Sequence, residues 1–268
     1  MKKLFAAAAL VGIATLSYAA QNRTDVVDRA DAAAKVLQEI MATPDKGIPG
    51  TVLNGAKCVA VVPSLKQAGF VFGGKYGRGV ATCKTAQGWS APAPFTIAGG
   101  SWGLQIGGQA VDLVMLIMNQ QGMQQLLASK FKIGADVSGA AGPVGRQASA
   151  NTDWKLRSQV LTYSRSRGAF AGITLNGASI KQDDDSTRAL YGKQESFTAI
   201  LDGEVPVPAG GEAFVKQVAE AQKQAREPQN ENASAGTSGG ATGAVSTPNT
   251  PSKDNGNAGA VGTNTNQK

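Results

Sequence analysis

The sequence predicts an α+β protein, a compact domain rich in antiparallel β-sheet with an N-terminal amphipathic helix and a few short helices. Short runs of β-forming residues recur between glycines and prolines through the middle of the chain, which is typical of antiparallel meanders. The 268 residues include 34 glycines and only 6% aromatic residues, a composition that suits turns and sheet better than a helical bundle. The clearest helical periodicity lies towards the two ends of the chain.

The first 19 residues have the pattern of a secretory signal peptide. Lys2 and Lys3 precede an apolar segment from Leu4 to Leu16, and the small residues Ser17 and Ala19 form a cleavage signal. The apolar segment is shorter than the roughly 20 residues that cross a bilayer, and no Cys follows the cleavage signal to carry a lipid. We therefore expect an exported protein that is periplasmic or secreted, with any membrane association peripheral.

An amphipathic helix is predicted from Thr24 to Met41. Thr24 or Asp25 can cap its first turn. The helix should end at "ATPDKGIPG", because two prolines and two glycines prevent its continuation. Apolar residues three or four positions apart give it one apolar stripe: Val26, Ala30, Ala33, Leu37 and Ile40.

Short strands separated by glycines are predicted next. A short helix is expected in "NQQGMQQLLASKF". Strand pattern returns in "KIGADVSGAAG" and from "LRSQVLTYSRSRGAFAGITLNGASI" up to "LYG", where "LNGAS" has the sequence of a hairpin turn. The earlier strands are expected at Cys58–Val62, Gly69–Phe72, Gly79–Cys83 and Trp89–Phe95.

The stretch 97–118, "IAGGSWGLQIGGQAVDLVMLIM", joins a glycine cluster to an apolar run. It is no phosphate-binding loop, because neither G-x-x-x-x-G-K-[ST] nor G-x-G-x-x-G occurs in the chain. Gln105, Gln109 and Asp112 argue against a membrane span, since a carboxylate near the bilayer centre costs roughly 2.5 to 3.5 kcal/mol. Alternation of apolar residues with glycine and polar residues predicts a strand, followed by a second one from Val111 to Met118. Glycines in such a strand mark bulges or places where another backbone or a ligand comes close.

The main domain is therefore expected at residues 20–209, followed by a C-terminal amphipathic helix at 210–227. Phe214, Val218, Ala221 and Ala225 share one face of that helix. Residues 228–268 are mostly Asn, Gly, Ala, Ser and Thr. This tail has too little apolar surface to offset its chain entropy, and we expect it to be disordered.

Cys58 and Cys83 are the two cysteines of the chain, and each lies in a predicted strand. In an exported protein a disulfide between them is expected. Two buried free thiols are the alternative, because the distance between the strands cannot be read from the sequence. Two cysteines without any histidine supply too few ligands for a zinc site.

The sequence offers no assembled catalytic set, so we expect a protein that is not an enzyme and uses no cofactor or metal. There is no histidine to act as a general base and no G-x-S-x-G motif. The acidic cluster Asp183–Asp185 could bind calcium, but it lacks the alternating ligands of an EF-hand loop and is better interpreted as a solvated turn. Asp112 lies between apolar residues, and it could be functional or could pair with an arginine or with backbone N–H groups.

The charge distribution favours an anionic partner. The chain has 26 Lys and Arg against 19 Asp and Glu, and loss of Lys2 and Lys3 with the signal peptide would lower the formal net charge from +7 to +5. Lys66, Lys75 and Arg78 form one basic group, and solvated surface charges remain the alternative for most of these cations. A second basic group lies between residues 130 and 167, where the only acidic residues are Asp136 and Asp153. It comprises Lys130, Lys132, Arg146, Lys155, Arg157, Arg165 and Arg167.

Several motifs in a fixed order resemble the SYLF domain family, over about Asp25 to Gly192. They are "NGAKCVAVVPSLKQAGFVFGGKYGRGV", "GWSAPAPFTIAGGSWGLQIGGQAVDLVMLIMN", "KIGADVSGAAGPVGR" and "YSRSRGAFAGITLNGASI…LYG". The resemblance implies a sheet-rich α+β domain without enzymatic activity that binds anionic phospholipids, phosphoinositides among them, and in some relatives actin. The residues expected to bind lipid are Lys66, Lys75, Arg78, Lys130, Lys132, Arg146, Arg165 and Arg167.

One departure from the family concerns the N-terminal helix, which in eukaryotic relatives is implicated in membrane binding. Here its polar side is more acidic than basic and its stripe is rich in alanine, so it lacks the cationic face of an interfacial anchor. We therefore assign lipid binding to the Lys and Arg cluster, and we expect no nucleic acid partner. The alternative function is a structural or interaction protein of the cell envelope, with a protein partner and incidental lipid binding.

Overall fold

The computed structural model describes residues 2–43, 47–69, 72–102, 107–128, 130–143, 158–166, 169–171, 175 and 177–226. Residues 2–21 and the strand residues 69, 72, 101, 102, 107, 166 and 169–171 are described by their backbone alone. The tail predicted to be disordered, residues 228–268, lies outside the described residues.

Within these ranges the chain forms helices near both ends and strands between them. The helices are α1 (Lys2–Met41), α2 (Gly50–Gly55), α3 (Gln120–Leu127), α4 (Asp184–Tyr191), α5 (Phe197–Leu201) and α6 (Glu212–Arg226). The strands are β1 (Cys58–Gly69), β2 (Phe72–Thr85), β3 (Gly88–Trp89), β4 (Ala93–Trp102), β5 (Gly107–Ile117), β6 (Lys130–Lys132), β7 (Gly139–Ala141), β8 (Val160–Ser166), β9 (Ala169–Ala171) and β10 (Ser179–Gln182).

The strands form one ten-stranded, mostly antiparallel sheet in the order β6-β10-β4-β2-β1-β5-β8-β7. Strand β3 pairs with β2 and β9 pairs with β8. Only β7 and β8 run parallel among the described pairs. The α+β class predicted from the sequence is confirmed.

The sheet separates two apolar cores, and β5 shows how the sequence builds both. Leu113, Met115 and Ile117 point into the core on one face, while Val114 and Leu116 point into the core on the other. This alternation is the period of two expected of a strand that is buried on both sides. We call the face covered by α1, α2 and α6 the outer face, and the face covered by α3 and α5 the inner face.

Helix α1 buries the apolar stripe predicted for it. Ala30, Ala33, Leu37 and Ile40 are fully buried against the outer face and against α6. Leu37 and Ile40 each contribute about 1.5 to 3 kcal/mol through the apolar area that they remove from water. Helix α1 ends at Met41, as predicted, but begins at Lys2 rather than Thr24, because the Ala- and Leu-rich leader is itself a good helix former. No helix in the described part of the chain is both long and apolar enough to cross a membrane.

Two predictions for the region after β8 were wrong. Residues Asp184–Tyr191 form a helix instead of a strand, because the Asp183 side chain accepts a hydrogen bond from the backbone N–H of Ser186 and so caps its first turn. "LNGAS" does turn at Gly177, which has a φ of 79°. The turn does not make a hairpin, since β10 pairs with β4 and β6 rather than with β9.

The glycine stretch 97–118 forms two strands, as predicted, but the second begins at Gly107 rather than Val111. Residues 103–106 lie outside the described ranges. Strands β4 and β5 are not neighbours, because β2 and β1 lie between them. Gly99 packs against the next segment of backbone: a Cβ there would lie 2.8 Å from the Cα of Ala178. Close approach of another backbone therefore explains that glycine, as expected from the sequence.

Candidate functional site

The structure separates the eight candidate lipid-binding cations into distinct environments. Arg146 and Arg167 lie outside the described residues. The other six belong to strands β1, β2, β6 and β8, which are held in one sheet.

Arg165 belongs to an ion-pair network beside α1. Its Nη2 donates to Oδ2 of Asp112 over 2.9 Å, and its Nη1 forms an ion pair with Glu39 of α1. Asp112 also accepts a hydrogen bond from the backbone N–H of Ser64, 3.0 Å away. Burial alone would lower the pKa of Arg165, but its hydrogen bonds to Asp112 and Glu39 outweigh burial and raise the pKa. Arg165 is therefore engaged inside the protein, and Asp112 has both structural partners that the sequence suggested.

Arg78 also has a carboxylate partner within the protein, although 41% of its side chain remains exposed. Its Nε lies 3.2 Å from Oδ2 of Asp183, although the N–H does not point at the carboxylate in hydrogen-bond geometry. Arg29 of α1 donates to the hydroxyl of Ser186 nearby, and burial together with the charge of Arg78 lowers the pKa of Arg29. Asp183 is only 6% exposed, so the prediction of a solvated turn at this residue was wrong. No cluster that could hold a metal ion occurs among the residues described.

Lys75 lies on the opposite side of the sheet. Along β2 its neighbours Tyr76 and Gly74 are exposed on the outer face, whereas Lys75 is directed to the inner side and is only 9% exposed. Burial lowers the pKa of Lys75. This residue is therefore not part of a surface shared with the outer cations.

Lys66, Lys130 and Lys132 remain, and all three are exposed on the outer side of the sheet. Lys181 joins them, because β10 lies between β6 and β4. Lys181 was not predicted from the sequence, because it stands apart from the basic segments in the chain. The strand register was the missing information, since it places Lys181 directly opposite Lys130. We call the surface formed by Lys66, Tyr76, Lys130, Lys132 and Lys181 the lysine face.

One cross-strand row defines this face. The row crosses five strands at directly opposed positions: Lys132, Ser179, Ala98, Tyr76 and Lys66. Within the described ranges, none of the four lysines forms an ion pair with a carboxylate. The carboxylate of Asp136, four residues after Lys132, accepts from the backbone N–H of Lys132 rather than from its side chain. As far as the described residues show, the four ammonium groups are available to an anion from outside.

The two cysteines form a disulfide, as predicted. Cys58 and Cys83 are directly opposed on β1 and β2, and both are fully buried in the inner core. The alternative of two free thiols is wrong. The bond closes a segment of 25 residues, for which loop-closure entropy gives about 3.5 kcal/mol of stabilisation.

The lysine face presents four ammonium groups and one half-exposed phenol on the sheet.

Comparison with known proteins identifies the family. The family described as "Ysc84: Las17-binding protein actin regulator" matches residues 98–221. Protein YSC84 of Saccharomyces cerevisiae is 34% identical over 195 residues, which cover 69% of this chain and 41% of the relative. Human SH3 domain-containing YSC84-like protein 1 is 32% identical over 196 residues, covering 70% of this chain and 57% of the relative.

LAS seventeen-binding protein 3 of Saccharomyces cerevisiae is 36% identical over 172 residues, covering 62% of this chain and 37% of the relative. The chain thus spans about half the length, or less, of the curated relatives that it matches. The matched region includes β5, β6, β8 and β10. The chain belongs to the Ysc84 family of SYLF domains.

Proposed function

We propose that this chain is a non-enzymatic binding domain that holds anionic phospholipids, including phosphoinositide-type head groups, on the lysine face. The observation that carries the proposal is the set of four exposed lysines on one side of the sheet, three on the neighbouring strands β6 and β10 and one on β1. None of them has a carboxylate partner in the described residues. Each cation near an anionic membrane surface contributes about 1 kcal/mol. Four of them together are enough for salt-sensitive, reversible attachment.

The packing of α1 supports the assignment to the sheet rather than to the helix. An interfacial helix binds by placing its apolar stripe among lipids. In α1 that stripe is already buried against the outer face and α6, with Ala30, Leu37 and Ile40 fully buried. Membrane binding through α1 would first have to expose this core.

We further propose that the protein is exported, by the leader at residues 1–19, and acts on the periplasmic or outer surface as a peripheral membrane protein. Its lipid would then be whichever acidic phospholipid that surface carries. The signal-peptide pattern of Lys2, Lys3 and the apolar segment after them is the support for this location.

Sedimentation with vesicles tests the lipid proposal. The exported protein, in its naturally processed form, is mixed with phosphatidylcholine vesicles or with vesicles that also contain phosphatidylglycerol, at low and at high salt. We expect binding only to the anionic vesicles, and weaker binding at high salt because screening shortens the reach of exposed charges to about 8 Å at physiological ionic strength.

Charge-reversal variants test whether vesicle binding takes place through the lysine face. Lys66→Glu and Lys132→Glu should each weaken binding about tenfold or more, because each replaces an attraction by a repulsion. Lys216→Glu is the matched control, since Lys216 is an exposed lysine of α6 outside the lysine face. Equal losses for Lys216→Glu and Lys66→Glu would show that net charge alone matters and would refute the lysine face as the site.

A protein partner is the second candidate function, and the descriptions of the relatives favour it. The matching family is described as Las17-binding, and one relative is named LAS seventeen-binding protein 3. For this chain the corresponding hypothesis is an envelope protein with an acidic surface that contacts the lysine face. The second function replaces the first if two results are found together. The protein binds no vesicle of any composition, and one envelope protein co-purifies with the natural protein but not with Lys66→Glu.

A further inference from the structure

We propose that the Tyr76 ring is an interfacial contact of the lysine face, so that this face binds an intact anionic bilayer in preference to a free phosphorylated head group. The inference rests on the proposed function. It adds an uncharged, salt-insensitive contribution that the lysines alone do not provide.

Tyr76 has an unusual position among the large apolar side chains that the structure describes. It is 50% exposed, whereas the others are buried or partly buried. The two other tyrosines with described side chains differ from it: the hydroxyl of Tyr163 donates to the carbonyl of Pro143, and that of Tyr191 donates to the carbonyl of Pro92. Those two rings are components of the fold. The exposed half of Tyr76 has no such role in the core.

The neighbours of Tyr76 give it the surroundings of an interfacial aromatic residue. In register it lies directly opposite Lys66 on β1 and Ala98 on β4. Directly opposed side chains have Cβ atoms about 5 Å apart, so the stem of Lys66 can lie beside the ring. Ala98 is small and exposed, and Arg29 of α1 is near enough to Tyr76 for the two to interact electrostatically.

Tyrosine and lysine side by side match the layered chemistry of a bilayer surface. Tyrosine is enriched where one end of its side chain can be apolar and the other wet, which is the head-group level of a membrane. A lysine stem can lie along apolar surface while its ammonium group reaches phosphate. The lysine face therefore presents its aromatic ring to the glycerol layer and its charges to the phosphates of the same lipids.

Other occupants fit the same residues less well. A peptide binds by adding a strand to an open sheet edge or by filling side-chain pockets. Tyr76 and Ala98 belong to strands that are paired on both sides, so they offer no edge. A second copy of this chain would bring Lys66, Lys132 and Lys181 against the same cations, which is unfavourable.

The test compares Tyr76→Thr with Tyr76→Trp in the vesicle assay. Threonine keeps the strand propensity of the position but removes the ring, while tryptophan keeps an interfacial aromatic group. With anionic vesicles we expect Tyr76→Thr to weaken binding about fivefold at both low and high salt, because the lost contribution is apolar area. Tyr76→Trp should bind at least as tightly as the natural protein. Inorganic phosphate, added at the same ionic strength as a chloride control, should not displace the protein from the vesicles.

The possible outcomes distinguish failure of this inference from failure of the proposed lipid binding. If Tyr76→Thr binds like the natural protein at both salt concentrations while Lys66→Glu does not, the ring is not a contact and the lysine face acts through charge alone. If inorganic phosphate releases the protein, the face recognises the head group by itself and the inference is wrong. If the natural protein binds no anionic vesicle, the proposed function fails and the inference fails with it. Both variants should have the thermal unfolding midpoint of the natural protein. If the midpoint of Tyr76→Thr alone is lower, its weaker binding could reflect lost stability, and Tyr76→Trp then decides the test. Weaker binding by Tyr76→Trp than by the natural protein would contradict the proposal.

Discussion

At Gly79 the backbone of β1 leaves no room for a side chain. A Cβ at this position would lie 2.3 Å from the carbonyl oxygen of Val61 and 2.7 Å from Cζ of Phe95. Gly74, on the same strand, is the opposite case, because no atom lies within 4 Å of a Cβ built there. The two glycines allow the same substitution to be compared with and without a steric conflict.

We expect Gly79→Ala to lower the free energy of unfolding by about 3 kcal/mol, since a backbone carbonyl can move aside only by distorting the β1–β2 pairing. Gly74→Ala should raise it by about 0.5 kcal/mol, because alanine loses less conformational freedom on folding than glycine. Denaturant unfolding of the two variants measures both values. A similar loss in both would mean that the space around the Cβ does not set the cost.

At the scale of secondary-structure elements, Asp112 of β5 connects three others: β1, β8 and α1. Its carboxylate accepts a hydrogen bond from the backbone N–H of Ser64, which has a φ of 60° in the irregular part of β1. The same carboxylate pairs with Arg165 of β8, and Arg165 also forms an ion pair with Glu39 of α1. The register of β1 with β5 shifts between Val62 and Leu65, next to this contact. The carboxylate therefore stabilises both the irregularity in β1 and the position of α1 on the sheet.

Asp112→Ala should cost about 2 kcal/mol of unfolding free energy, because it leaves the Ser64 N–H and part of the Arg165 guanidinium without an acceptor. Hydrogen exchange of the α1 amides near Glu39 should become faster as well. Asp185→Ala is the matched control: Asp185 pairs with Arg188, but its side chain is 79% exposed, and exposed pairs contribute little. If Asp112→Ala were as mild as this control, the network would not hold α1 in place.

Local periodicity accounts for what the sequence predicted at this scale. The stripe of α1 and that of α6 were correct because spacings of three and four residues are visible within one helix. The helix at Asp184–Tyr191 was missed because its signal is a cap, Asp183 bonding to Ser186, rather than an apolar stripe. Lys181 was missed because only non-local strand order brings β10 beside β6. Arg78 and Arg165 looked like surface cations until their carboxylate partners were known.

Across the whole molecule, four buried or partly buried titratable groups predict how stability depends on alkaline pH: Lys75, Lys84, Tyr163 and Tyr191. Burial, reinforced by the charges of Arg226 and Lys57, lowers the pKa of Lys84 from its ordinary 10.5 to about 8. The Lys84 ammonium caps α2 by donating to the carbonyl oxygen of Asn54 over 2.8 Å. Burial acts in the opposite direction on phenols, and it raises the pKa of both Tyr163 and Tyr191 well above the ordinary 10.0.

Between about pH 8 and 10 the unfolded chain keeps the proton of Lys84 while the folded protein has released it, so stability should rise with pH in this window. Above pH 10 the tyrosines ionise in the unfolded chain but not in the folded one, so stability should fall again. Thermal midpoints measured from pH 7 to pH 11 at constant salt should therefore reach a maximum near pH 10. Lys84→Met should make the rise smaller and leave the fall, because Lys75, whose pKa burial also lowers, still contributes to the rise. Tyr163→Phe should make the fall shallower and leave the rise. A midpoint that rises as steeply in Lys84→Met as in the natural protein would assign the alkaline stabilisation to other groups, because methionine carries no proton to release.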